Sequence, residues 1–287
     1  MKKVIASCIT LITLFCSFFV QANDEVFNLT FDNHFNLPQV ALTIAGENRI
    51  FTLDTGSKRG LHLPMELINK LPNKTELAHK MQSQDLSGNI TESRAFIVSA
   101  LTLGSFDFQN VDILEYKEWG YVLSNSDAPS QPPQEPQFPV IGLGLFADNT
   151  LTLNFPDNKI IISDDAPFSP PHDENWTPLP FILGDEGIVI SVTDNIKDYQ
   201  MILDSAATLS LIKEQSLSPK TVKLNHNDDY HSVAVTVKNN STSNVDAIVL
   251  DNLPDEFHSD GLLGVDFLSK NVLIIDFKQQ KLWIKAQ

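Results

Sequence analysis

Cysteine is nearly absent from this 287-residue chain: there are two, Cys8 and Cys16, and both lie in one apolar run near the N-terminus. Once that run is removed on export, the rest can form no disulfide and offers no thiol nucleophile, so its stability must come from buried apolar surface. Positive charge is scarce too, with 20 Lys and Arg against 36 Asp and Glu and a formal net charge of −16. Nucleic acid is therefore not expected as a partner, because its phosphates require lysine and arginine. The acidity also serves solubility and does not by itself specify a cationic substrate. No long segment has helical spacing of its apolar residues, and no Gly-x-Ser-x-Gly turn for a serine nucleophile is present. Metal-ligand patterns are missing as well. His226, Asp228, Asp229 and His231 crowd together without the paired spacing of a zinc site, and Asp251, Asp255, Glu256 and Asp260 lack the spacing of a calcium loop. Both groups read as solvated turns, and no metal or organic cofactor is expected.

The N-terminus has the form of an export signal. Lys2 and Lys3 precede an apolar run from Val4 to Val20, and Val20-Gln21-Ala22 presents compact residues where a signal peptidase reads. The run includes Ser7, Thr10, Thr13 and Ser17 and is short for a membrane span of about 20 residues, so residues 1–22 are expected to be a cleaved signal peptide rather than a stable membrane anchor. Cleavage leaves 265 residues with a formal charge of about −18, enough for two modest lobes in the periplasm or outside the cell.

What remains reads as all-β. Short runs rich in β-branched residues alternate with turn residues, and strands are expected at 39–44, 50–54, 94–101, 110–114, 150–155 and 159–162, then at 187–192, 200–204, 232–237, 245–250, 272–277 and 281–284. Short helical turns are expected at 65–71, 145–148 and 267–270. Two proline-rich stretches read as loops: 124–139, with five prolines, and 163–180, also with five, which is taken as the linker between lobes spanning 23–164 and 165–287. Trp119-Gly120-Tyr121, beside the first of these, is a candidate for the mouth of a cleft.

The chain also says the same thing twice. Leu53-Asp54-Thr55-Gly56-Ser57 returns as Leu203-Asp204-Ser205-Ala206-Ala207, at an offset of 150 that also sets Val40 and Leu42 on Ile190 and Val192. Val140-Ile141-Gly142-Leu143-Gly144 returns as Leu262-Leu263-Gly264-Val265-Asp266, at an offset of 122 that superposes Asn149 on Asn271, Leu151 on Leu273, Phe155 on Phe277, Lys159 on Lys281 and Ile162 on Ile284. Each half keeps one order of parts, which is the signature of an internal repeat.

Two carboxylates brought together by such a repeat have a specific chemistry. Like charges about 3 Å apart cannot both ionise, so the pair shares a proton; one member then acts as base on a water and the other as acid toward a carbonyl oxygen. Asp54 and Asp204 are the expected pair. Thr55 and Ser205 are expected to tie each loop to the opposite half, Gly56 to permit the tight turn, and the Ser57 hydroxyl to reach the outer oxygen of Asp54. Gly142 and Gly264 are expected where another backbone passes beside the Asp loops.

With these residues in place, the chain resembles the pepsin-like and retropepsin-like aspartic proteases. Phe51-Thr52-Leu53-Asp54-Thr55-Gly56-Ser57 is similar to that family's first motif, 100–105 followed by 111–114 to its strand-turn-strand, and 261–268 with 274–277 to the closing segment of retropepsins. The resemblance implies an all-β, bilobal fold with the site in a cleft between pseudo-symmetric lobes, an endopeptidase activity, and an extended peptide or protein as substrate. Flaps over the cleft are then expected at Ser87-Gly88-Asn89 and at 225–230. With both Asp motifs in one chain, a monomer suffices. The second motif, Asp204-Ser205-Ala206-Ala207, departs from the family's Asp-Thr-Gly-Ser and keeps open an alternative: a periplasmic protein that uses the same cleft to bind a peptide or partner without cleaving it.

Overall fold

The structure, a computed structural model, describes residues 24–84, 90–104, 106–118, 138–164, 169–171, 175–226, 230–251, 253 and 257–287. The expected signal peptide lies outside them. The fold is all-β and bilobal, and its described helices are short: Met65–Lys70, Leu143–Phe146 and Val265–Leu268 stand close to the three anticipated helical turns, and Glu214–Ser216 is a further one. None of the described helices is long and apolar enough to cross a membrane.

Strands form where apolar residues alternate. In Pro38–Ile44 the side chains of Val40, Leu42 and Ile44 are buried while Ala41 and Thr43 between them are exposed, so one face joins the core. Asn271–Asp276 is buried along its whole length because it is covered on both faces. The strands assemble into one sheet of thirteen, one of eight and a separate two-stranded hairpin. A single large apolar cluster draws on both lobes, and Phe51, Phe146, Tyr199 and Phe267 are among its fully buried side chains.

The repeat becomes a rotation in space. Thr150–Asn154 pairs antiparallel with Asn271–Asp276, and Thr152 stands opposite Ile274, its own counterpart at the offset of 122. An antiparallel pair in which a residue faces its own repeat has a two-fold axis through that point. The hairpins follow the same rule. Strand Asp24–Phe31 pairs with both Lys159–Ser163 and Pro38–Ile44, and the corresponding stretch of the second half is split at Pro180 into Thr177–Leu179 and Phe181–Gly184, which pair with Lys281–Ala286 and Gly187–Thr193.

Two expectations need correction. The stretch 163–180 is not all loop: Thr177–Leu179 is a strand despite Pro178, because it is the outermost strand of its sheet and the missing N–H has no ladder to break. Strand Asp24–Phe31 was not anticipated at all. In the other Pro-rich stretch, residues 124–137 lie outside the described residues, as do Trp119, Gly120 and Tyr121.

Candidate active site

Each Asp motif stands at the end of a strand and is flanked by a short parallel strand from the same half. Glu47–Asp54 has Val140–Gly142 beside it, with Gly142 opposite Asp54; Asp198–Leu203 has Gly261–Leu263, and the Asp204 amide donates to Leu263 O at 2.9 Å. After the aspartates the chain bends back across these neighbours. Leu143 N donates to Ser57 O and Val265 N to Ala207 O, both at 2.8 Å, the same bond in the two halves. Such close passage leaves no room for side chains at the crossing. A β-carbon on Gly142 would stand 2.3 Å from Arg59 O, and one on Gly264 would stand 2.7 Å from Ala207 O.

The two loops are tied to each other by four reciprocal hydrogen bonds. Thr55 Oγ1 donates to Leu203 O and Ser205 Oγ to Leu53 O, both at 2.7 Å, while Thr55 N donates to Ser205 Oγ at 3.0 Å and Ser205 N to Thr55 Oγ1 at 2.9 Å. Both side chains are fully buried. Each hydroxyl gives one bond and takes one, which leaves no donor or carbonyl of the junction unpaired and fixes the separation of the two aspartates. A second cross-lobe pair surrounds this knot at the same offset of 150: Lys58 Nζ binds Asp185 at 2.6 Å, and Thr208 Oγ1 donates to Phe35 O at 2.6 Å.

Inside this frame the carboxylates converge. Asp54 Oδ1 accepts from Gly56 N at 2.9 Å and Ser57 N at 3.0 Å, and Asp204 Oδ1 accepts from Ala206 N at 2.8 Å. The Asp204 carboxyl lies against the Cα of Gly56, so close that a β-carbon there would fall 2.9 Å from its Cγ. Burial pushes both carboxyls above the usual carboxylate range; the charge of Asp204 pushes Asp54 further, and the backbone amides pull both part of the way back. The pair therefore retains a proton at pH values where isolated aspartates are fully ionised.

Two sequence readings change. The Ser57 hydroxyl does not go to Asp54: its Oγ lies 2.9 Å from His62 Nε2 and takes a long bond from Arg59 N at 3.4 Å. Ser57 serves Asp54 through its amide instead. Nor is Gly56 needed for an unusual backbone angle, since neither it nor Ala206 has a positive φ. Its value is the missing β-carbon beside Asp204. His62 was not singled out from sequence; the available signal was a polar residue inside the apolar run Leu61-His62-Leu63, a strand wedged between two others.

Met81–Gln84 and Ile90–Ser93 form a hairpin separate from both large sheets. Its turn, including Ser87, Gly88 and Asn89, lies outside the described residues. On the other half Leu224–His226 pairs with the start of Tyr230–Val237, and 227–229 lie outside. The described residues contain no cluster of His, Cys, Asp and Glu able to hold a metal ion.

The geometry has counterparts among solved structures. Basic 7S globulin from soybean superposes with a TM-score of 0.59 at 10% identity, covering 93% of this chain and 96% of its own. An aspartic proteinase from Irpex lacteus superposes with a TM-score of 0.54 at 13% identity, covering 92% of this chain and 98% of its own. No family model and no curated protein sequence matches. Similarity at this level concerns the fold alone, and one of the two neighbours is named as a globulin rather than a proteinase.

Proposed function

We propose that this chain is an aspartic endopeptidase in which Asp54 and Asp204 activate one water between them. The observation that carries the reading is the junction itself: two buried carboxyls on equivalent loops, held together by the reciprocal bonds of Thr55 and Ser205. The ionised carboxyl takes a proton from water as the water oxygen adds to the scissile carbonyl carbon, and the protonated carboxyl gives its proton to the carbonyl oxygen. Collapse of the resulting gem-diol breaks the C–N bond. The nitrogen takes a proton from the carboxyl that received one, and the hydroxyl proton returns to the other, so the pair ends as it began. No metal enters the reaction.

The substrate is an extended peptide lying between the lobes, bound by main-chain hydrogen bonds. The reading includes action by the monomer outside the cytoplasm, after loss of residues 1–22.

A second reading, a protein that binds a peptide in this cleft without cleaving it, is favoured by Ala206 and Ala207 and by the fold's likeness to a protein named as a globulin. Incubating the mature protein with a mixed peptide library separates the two. The endopeptidase reading predicts internal cleavage that disappears in Asp54→Asn; the same products from both proteins, or none from the wild type, would favour the second reading.

A further inference from the structure

We propose that His62 is a positioning residue for the carboxylate pair: by holding the Ser57 hydroxyl it keeps the Ser57 amide on Asp54 Oδ1. This inference rests on the endopeptidase reading of the pair. The chain of contacts is short. His62 Nε2 lies 2.9 Å from Ser57 Oγ, and the amide of the same serine donates to Asp54 Oδ1 at 3.0 Å. Only the Ser57 main chain separates the imidazole bond from the reacting carboxyl.

The anchor at the far end is rigid. His62 is the middle residue of Leu61–Leu63, which pairs antiparallel with Val140–Gly142 on one side and parallel with Phe106–Glu115 on the other. The side chains before and after it, Leu61 and Leu63, are fully buried. A ring mounted there moves little, so the hydroxyl it holds is fixed relative to the sheet rather than to the loop.

The second half has no such device. At the offset of 150 that relates the two Asp motifs, Ser57 corresponds to Ala207 and His62 to Ile212, two residues that cannot form the bond. The reciprocal bonds of Thr55 and Ser205 are symmetric, and the amides of Gly56 and Ala206 serve their aspartates alike. The Ser57–His62 bond distinguishes the two carboxyls, so it gives Asp54 a support that Asp204 lacks.

The charge state of the ring follows from its surroundings. Charged groups reach the ring from its own loop, as Arg59, and from Phe106–Glu115, as Asp112; those two are paired with each other at 2.8 Å. Glu115, at the end of that strand, is occupied by Lys117, and Val140–Gly142 brings no charge to the ring. Asp54 stands beyond Ser57. Burial dominates, with Asp112 opposing it and Arg59 adding to it, and the imidazole stays neutral down to about pH 4. Arg59 N donates to Ser57 Oγ at 3.4 Å, which leaves the hydroxyl one proton to give to an unprotonated Nε2 and one lone pair to accept from a protonated one. Protonation turns Nε2 into a donor. The serine hydroxyl, with a lone pair left beside the one that Arg59 N uses, then turns its own proton away and accepts from Nε2, so the tie survives with its direction reversed.

Three variants of the mature protein test this: His62→Phe, which keeps a ring without the bond; His62→Gln, which keeps a polar group at its end; and Ser57→Ala, which removes the bond from the other side. Each is read twice, by the titration of the Asp54 carboxyl carbon in aspartate-labelled protein, assigned by its loss in Asp54→Asn, and by kcat and KM against pH. The expected result is an upward shift of the Asp54 titration by about one pH unit in His62→Phe and Ser57→Ala, with partial return in His62→Gln. In the kinetic arm kcat falls about tenfold or more while KM changes little. An Asp54 titration unmoved in folded His62→Phe overturns the proposal, and should that variant not fold, an unmoved titration in Ser57→Ala does so. The titration needs no turnover, so its outcome stands even if the wild type cleaves nothing and the endopeptidase reading falls.

Discussion

At the scale of single residues the two halves differ most where the sequence departs from its own repeat. Gly56 leaves open the space beside Asp204, and the residue in its place in the second half, Ala206, carries the β-carbon that Gly56 lacks. By the two-fold relation that methyl faces Asp54, the carboxyl on which burial and the second charge act together. Two opposite outcomes follow. Gly56→Ala drives a methyl into the Asp204 carboxyl and should lower kcat by about 100-fold or more, since displacements near 1 Å at a reacting group carry that cost. Ala206→Gly should admit water beside Asp54, relax its raised proton affinity and move the alkaline limb of the rate downward, as a pH-rate comparison with the wild type would record. The aspartates, Thr55 and Ser205 were legible in sequence because a motif repeated at one offset fixes which residues must meet. The direction of the Ser57 hydroxyl was not, because it depends on a histidine brought alongside by strand pairing.

At the scale of elements, most of the longer strands were legible from alternation, Asp24–Phe31 excepted, whereas Leu61–Leu63, Val140–Gly142, Leu211–Lys213 and Gly261–Leu263 were not. Three residues carry no period. These short strands nevertheless build the site, since two of them lie beside the aspartates and the other two pack against those. The sequence marked them only through Gly142 and Gly264. Gly142→Ala should destabilise the fold by about 3 kcal/mol or more, at the upper end of overpacking costs, because the obstructing atom is a backbone carbonyl that cannot swing aside; a urea titration measures it. The junction between loops has its own test. Thr55→Ala removes the hydroxyl that donates to Leu203 O and accepts from Ser205 N, leaving two buried partners unmet at about 1–3 kcal/mol each. The same measurement on Ser205→Ala should give a similar loss, and the two losses should not add in the double variant, because both mutations break one network.

At the scale of the whole molecule, the pseudo-two-fold axis through Thr152 and Ile274 makes the carboxyl pair an internal property of one chain, and stability must bear the consequence. Both carboxyls have folded proton affinities raised above their unfolded values, so their contribution is fully present below the ordinary aspartate range and is lost as pH rises through the folded values, the higher of which is about 8. Asp54→Asn removes the Asp54 share of that dependence and should melt higher than the wild type above about pH 8, with the difference vanishing near about pH 4. The most direct test of the account is steady-state cleavage of a single peptide substrate from about pH 3 to about pH 9 by the wild type, Asp54→Asn and Asp204→Asn. A shared proton predicts a bell with its alkaline limb at neutral pH or above, and a loss of at least about 1,000-fold in each single variant, because neither carboxyl can act alone. A profile without two limbs, or either variant retaining more than about a tenth of the wild-type rate, would contradict it.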